Sequence, residues 1–229
     1  MNKENFLIIC IIISFNIFGN SFQDGNLEFI NKDYEKAEIS YLNDIKENGE
    51  DLNTLFNLAN LYIIIGEDGK ALLNLYKARI ISPGDKSITK EIENIEDKLN
   101  IKNQYKYFIP LSYNHLFFIT IISLLIFSIS IFILSLLKKN IYFSIIPLGF
   151  FLLFLSLLIN INSHKNDIIA INGSEVYISP YPGSDSSFKL EEGSIARVEE
   201  EHGDFLFITD KENRYGWILK NNIGFIWKQ

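Results

Sequence analysis

Two serine–lysine pairs, three histidines and one cysteine are the side chains of this sequence that chemistry would use first. Ser87-Ile88-Thr89-Lys90 and Ser135-Leu136-Leu137-Lys138 share the S-x-x-K spacing, in which a lysine amine can take the proton of a serine hydroxyl for acyl transfer. The further motifs that complete such a site are absent, so the first pair reads as a helix start and the second as the edge of an apolar run. No phosphate-cradling or dinucleotide-binding glycine pattern follows a strand-like run. His115 and His164 both fall next to apolar segments, close to Asp167, and could share a metal ion, but no dependable further ligand accompanies them. An interfacial role is expected for both, and solvent exposure for His202 in its acidic turn. Neither a catalytic residue nor a metal site nor a cofactor is expected.

The elements that would carry these side chains are set by hydrophobic patterning. The chain has 229 residues, 48% of them hydrophobic, and much of that content is concentrated in three runs. The first, Phe6 to Phe18, follows Lys3 and precedes the small residues Gly19 and Ser21, the layout of a signal peptide over residues 1–21, with an uncleaved anchor as the alternative. Cys10 lies inside this run. A lipid-attachment reading is rejected because no small residue precedes it and the apolar run continues past it. The other two runs, 116–137 and 141–159, hold no charged residue and approach the roughly 20 apolar residues that cross a bilayer as a helix. Only Lys138, Lys139 and Asn140 separate them, which predicts an antiparallel hairpin with its lysine turn in the cytoplasm and both flanking parts on the opposite side. Pro147 is expected to bend the second span, with Ser144 and Gly149 offering small surface for close packing, and Tyr113 and Tyr142 suit the interface. Ionisable residues are missing from both runs, which argues for an anchor over a transporter.

Both flanking parts are acidic. Residues 24–104 carry 10 Lys and Arg against 16 Asp and Glu, residues 164–229 carry 7 against 11, and the formal net charge is −7. Such a balance disfavours a nucleic-acid partner.

The N-terminal part repeats itself. Leu55, Leu58, Ala59, Tyr62, Ala71, Leu75, Ala78 and Pro83 recur at a helix-pair spacing, and 34 residues earlier stand Gly25 for Ala59, Asn26 for Asn60, Lys36 for Lys70, Ala37 for Ala71 and Asp51 for Asp85. This pattern resembles the tetratricopeptide family over residues 22–104. The first copy is weaker, with Asp24 and Ser21 where the family has large apolar residues, so a short opening helix is expected. Ile88, Ile92, Ile95 and Leu99 at helical spacing predict a capping helix between Lys86 and Gln104. The resemblance implies that the first helix of each pair lines a concave groove, where Phe22 and Phe56, Asn26 and Asn60, and Phe29 and Ile63 are equivalent positions. Phe22, Asn26, Phe56, Asn60 and Ile63 are therefore the expected partner-binding residues. The alternative is that the aromatics fill core between repeats.

From Asp167 onward the pattern changes to short apolar runs, Val176 to Ile178, Ile195 to Val198, Phe205 to Ile208, Tyr215 to Leu219 and Gly224 to Trp227, separated by turn residues. A small β-barrel is expected. Leu190 and Gly193, Asp204 to Ile208, and Gly216-Trp217-Ile218 make the segment 167–229 similar to bacterial SH3-like domains. Tyr177-Ile178-Ser179 departs from the family where it has Asn-Val-Arg, which leaves any ligand site built there in doubt.

The fold class expected is thus an α + β multi-domain membrane protein: a tetratricopeptide solenoid, two transmembrane helices and an SH3-like β-barrel. This order resembles the E-type proteins of the Bacteroides aerotolerance (Bat) operon. The resemblance implies a non-enzymatic scaffold in the bacterial inner membrane, with both soluble domains on the periplasmic side, accompanying von Willebrand A-type membrane proteins in stress tolerance. A peptidoglycan-binding role for the barrel is the alternative.

Overall fold

The structure, a computed structural model, describes residues 21–101, 111–138, 141–181 and 183–227. The leader through Asn20, with Cys10, and the turn residues Lys139 and Asn140 lie outside them. The chain divides into two compact units, Met1–Glu67 and Asp68–Gln229.

The described part of the first unit is three helices, α1 (Ser21–Ile30), α2 (Tyr34–Asn48) and α3 (Leu52–Ile65). Among the described residues helix α1 spans Ser21–Ile30, and α3 has 14 residues. Asp33 and Asp51 cap α2 and α3 by accepting backbone N–H groups of Lys36 and Asn53, and Gly66 closes α3 in the left-handed conformation. Gly25 is where α1 meets α2: a Cβ there would stand 2.7 Å from Cε1 of the buried Tyr41. Ala37 and Ala59, small residues of the two repeat copies, are fully buried. Across the unit the Tyr62 hydroxyl donates to Glu38 at 2.7 Å. Burial, and then the neighbouring Glu38 carboxylate, push the Tyr62 phenol far above its ordinary range.

The second unit opens with α4 (Asp68–Ile81) and α5 (Lys86–Lys98). Asp85 caps α5 through the N–H groups of Ser87 and Ile88, so Ser87 of the first serine–lysine pair sits in an opening turn whose cap is an aspartate two residues earlier. Ile88, Ile92 and Ile95 of α5 are buried, as its helical spacing predicts. Two apolar helices follow, α6 (Tyr113–Leu136) and, after the 3-10 turn Ile141–Ser144, α7 (Ile145–Ser163). By length and composition both can cross a membrane. The hydroxyls of Thr120, Ser123, Ser128, Ser130 and Ser156 donate to carbonyls of their own helices, which spares them an unmet hydrogen bond in an apolar medium. Pro147 is the third residue of α7. One expectation for these helices is revised. Gly149 faces open space, and the small residues buried along the hairpin are Thr120 and Ser123 of α6 and Ser144.

The rest is one antiparallel sheet of β1 (Asp167–Ala170), β2 (Ser174–Tyr177), β3 (Ser186–Leu190), β4 (Ile195–His202), β5 (Phe205–Asp210), β6 (Tyr215–Leu219) and β7 (Ile223–Phe225), in the order β3-β2-β6-β5-β4-β1-β7. It is a curled sheet with β3 and β7 at its edges. Val176, Leu190, Leu206, Ile208, Ile218 and Ile168 form the core on its inner face. Two strands, β1 and β3, escape the sequence pattern: β1 is buried at all four residues, so it shows no alternation, and β3 is mostly polar.

Helix α4 docks on this sheet. The backbone at Gly69 comes so close to the chain after β1 that a Cβ would lie 2.0 Å from the Ile171 carbonyl oxygen. The Gly69 N–H donates to Glu192 Oε1 at 2.8 Å, so the β3–β4 turn caps the start of α4 across 123 residues of sequence. Gly193 leaves room for Leu72, Leu99 and Ile101, and Gly224 for Leu73. Asp68 is tied to Lys98 at 2.6 Å, which closes α4 against α5.

Gly69→Ala is expected to destabilise the second unit by about 1–3 kcal/mol, because a backbone carbonyl cannot move aside as a side chain can. Gly149→Ala should be close to neutral. Thermal unfolding in neutral detergent, followed by circular dichroism, checks the pair. In the first unit, the raised Tyr62 phenol contributes stability that is complete below the unfolded tyrosine value of about 10 and is lost as pH rises above it. Tyr62→Phe should lessen the alkaline loss in a pH series of melting curves.

Candidate functional site

The residues expected to line a groove fall in the first unit. Phe22, Asn26, Phe56, Asn60 and Ile63 are all half-buried. Asn26 is engaged within the unit: its Oδ1 accepts from the Tyr41 hydroxyl and from Asn57 Nδ2, each at 2.8 Å. Phe22 packs at 6.3 Å from the Tyr41 ring. Asn26 thus serves the buried Tyr41 phenol, and the asparagine it meets is Asn57, three residues from its repeat equivalent. Asn60 makes no side-chain hydrogen bond among the described residues, which leaves its amide available.

The histidines separate by environment. His115 Nδ1 faces Ser112 Oγ at 2.6 Å at the start of α6. His164, directly after α7, faces Asp167 Oδ2 at 2.7 Å, and Arg197 reaches the other oxygen of that buried carboxylate at 3.3 Å. This cluster borders a cavity of about 420 Å³ that also includes Lys211 and Asp210. Asp210 is itself held by Arg214 at 2.7 Å. Opposite charges are thereby matched around the cavity, and among the described residues no group of three or more His, Cys, Asp and Glu side chains is placed to hold a metal.

The feature that the sequence did not disclose is the outer face of the sheet. Side chains alternate between faces along a strand, so the buried Leu206, Ile208, Gly216 and Ile218 send Phe205, Phe207, Tyr215 and Trp217 to the opposite side. Register then aligns Tyr177, Trp217, Phe207 and Glu200 across β2, β6, β5 and β4. Rings run in a continuous row from Tyr181 to His202 at 6.2 Å, Trp217 at 6.1 Å, Phe207 at 5.1 Å and Tyr215 at 6.0 Å. A second pair, Tyr177 and Phe205, meets edge to face at 6.2 Å. The ends of the row are open, Tyr181 at 62% exposure and Tyr215 at 67%. His202 is exposed as expected, and it also bridges two aromatic rings. Gly216 makes the row possible, since a Cβ there would lie 2.7 Å from the Tyr177 carbonyl oxygen. Alternation around Gly216-Trp217-Ile218 was the signal available in the sequence. It placed the strand without showing that β2, β6 and β5 bring Tyr177, Trp217 and Phe207 to one register.

No family model, curated protein or solved structure matches the chain.

Asn26→Ala is expected to cost about 1–3 kcal/mol, because it orphans the buried Tyr41 hydroxyl. Asn60→Ala should stay within about 0.5 kcal/mol. Denaturant titration of the two variants separates the structural asparagine from the available one.

Proposed function

We propose that this protein is a non-enzymatic adaptor anchored in the bacterial inner membrane, whose helical repeats and SH3-like sheet hold other envelope proteins. The observation that carries the reading is the outer face of the sheet. A row of edge-to-face and tilted rings with open ends, set on strands fixed by a buried core, is the kind of rigid aromatic surface that protein interfaces use as an anchor.

The packing of α4 and α5 on the sheet supports the anchor part of the proposal. These elements precede and follow the apolar hairpin, and they can touch only if the chain returns to the side it left. The ends of the hairpin meet as well, with Lys165 Nζ lying 4.9 Å from the Tyr113 ring centre. The lysine-containing turn then faces the cytoplasm and the folded parts face the periplasm. The burial of Gly25, Ala37, Ala59, Ala71 and Ala78 supports helix pairs of the tetratricopeptide type. In that setting Asn60, Phe56 and Ile63 offer a second contact surface, and membrane-anchored von Willebrand A-type proteins in stress tolerance are the partners that the order of segments suggests. A second reading, peptidoglycan binding, is favoured by the open rings of Tyr181 and Tyr215, which suit stacking on sugars.

The test is site-specific photocrosslinking in cells. A photoreactive residue at Tyr215 is expected to trap a discrete envelope protein, which one at Glu91 on α5 does not trap, and Trp217→Ala should lower the yield about tenfold. Identical patterns from both positions, or retention of the full-length protein by purified murein with no protein crosslink, would contradict the adaptor reading.

A further inference from the structure

We infer that the partner segment recognised by the aromatic row is a lysine- or arginine-bearing stretch of polypeptide, a conclusion that rests on the adaptor reading and narrows it to one chemistry. The faces of aromatic rings carry partial negative charge and attract cations. The row offers four such rings, Tyr181, Trp217, Phe207 and Tyr215, with the His202 imidazole between the first two, and the strand beside it adds carboxylates. Glu200 stands directly opposite Phe207 in the β4–β5 register, so both side chains leave the sheet on the same face. Glu199, at the bulge next to it, accepts from Thr209, whose partner in register on β6 is Tyr215. Among the described residues Glu200 has neither a hydrogen bond nor an ion pair.

Arg197 and Lys211 line a cavity together with Glu199, so the charge of this surface that stays without a partner among the described residues is that of Glu200. Arg214 is bound to Asp210 and Glu212 and lies 4.4 Å over the Phe188 ring. Lys220 pairs with Glu201, and Arg197 with Asp167. Lys189 stands opposite Glu175 in the β2–β3 register. An anionic ligand would meet like charge at Glu199 and Glu200, and a wholly apolar one would desolvate those carboxylates without return. An extended cationic segment satisfies both parts at once, its ammonium or guanidinium groups over the rings of Trp217 and Tyr215 and within reach of Glu200.

Isothermal titration of the full-length protein in neutral detergent tests this, with a synthetic deca-lysine as probe and its fully Nε-acetylated form as the uncharged counterpart. The lysine peptide is expected to bind, and the acetylated peptide at least about tenfold more weakly. Glu199→Gln with Glu200→Gln should weaken binding about three- to tenfold, and Trp217→Ala with Tyr215→Ala about tenfold or more. Glu91→Gln with Glu93→Gln, which removes the same charge from α5, should leave it unchanged. Because Glu200 is exposed and unpaired, its variant does not depend on tolerance of a core change. Equal binding of both peptides, or equal weakening by the α5 variant, overturns the inference. So does binding of diamino-acid-bearing wall fragments without binding of the peptide. If Trp217→Ala abolishes the cellular crosslink while the paired glutamate variant leaves it intact, the adaptor reading stands and the cationic partner is refuted.

Discussion

Everything in the second unit depends on the contact between Gly69 and the chain that follows β1. At that point two backbones approach so closely that no side chain fits between them. The Gly69 N–H finds its acceptor on Glu192, in the turn between β3 and β4. An exposed helix start would have used water or a local cap. Here the cap comes from the far side of the apolar hairpin, so the helical and β parts fold as one body. Leu73 against Gly224, and Leu72, Leu99 and Ile101 against Gly193, extend the same contact with apolar surface. The apolar hairpin therefore joins two pieces that this contact holds together.

This coupling gives the outer face of the sheet its setting. The inner face is filled by Ile168, Leu206, Ile208, Ile218 and their neighbours, and Leu73 of α4 packs at Gly224 of β7. What remains open is the aromatic row of Tyr181, His202, Trp217, Phe207 and Tyr215, held in place by strands whose other side is core. A surface of that kind loses little conformational freedom on binding, because its rings are already positioned by one another. The repeat helices of the first unit offer a different kind of surface, in which Asn26 is committed to Tyr41 and Asn57 while Asn60 keeps its amide available.

How much of this could be seen in the sequence varied with the range of the interaction. Local signals were legible: the small residues at repeat spacing marked positions that are buried, Asp51 and Asp85 are caps 34 residues apart, and uncharged runs marked α6 and α7. The strands around Leu206 and Ile218 followed from alternation. Strand β1 did not, because Asp167-Ile168-Ile169-Ala170 is buried on both faces and continues almost directly from the end of α7. Helix α5 could be drawn from Ile88, Ile92 and Ile95, but nothing in their spacing says that the neighbouring helix docks on a sheet. The partner of Gly69 lies about a hundred residues away, and a glycine in the first turn of a helix is no signal by itself. The aromatic row was hidden for the same reason. Phe207, Tyr215 and Trp217 lie on two strands, while the Tyr181 and His202 that complete the row come from a loop and a third strand, and only register brings them together. Among the groove residues, the spacing could not show that side-chain reach brings Asn57 to Asn26, which only the packed helices reveal.

The most direct test of the account is the sidedness of the two ends of the hairpin. In a Cys10→Ser background, single cysteines at the exposed positions Asn100 and Asn172 would be labelled in intact spheroplasts with a membrane-impermeant maleimide. The account predicts equal labelling of both from the outside, with a cysteine at Lys138 protected until the membrane is opened. Labelling of one of the two and protection of the other would place them on opposite sides of the bilayer and contradict it.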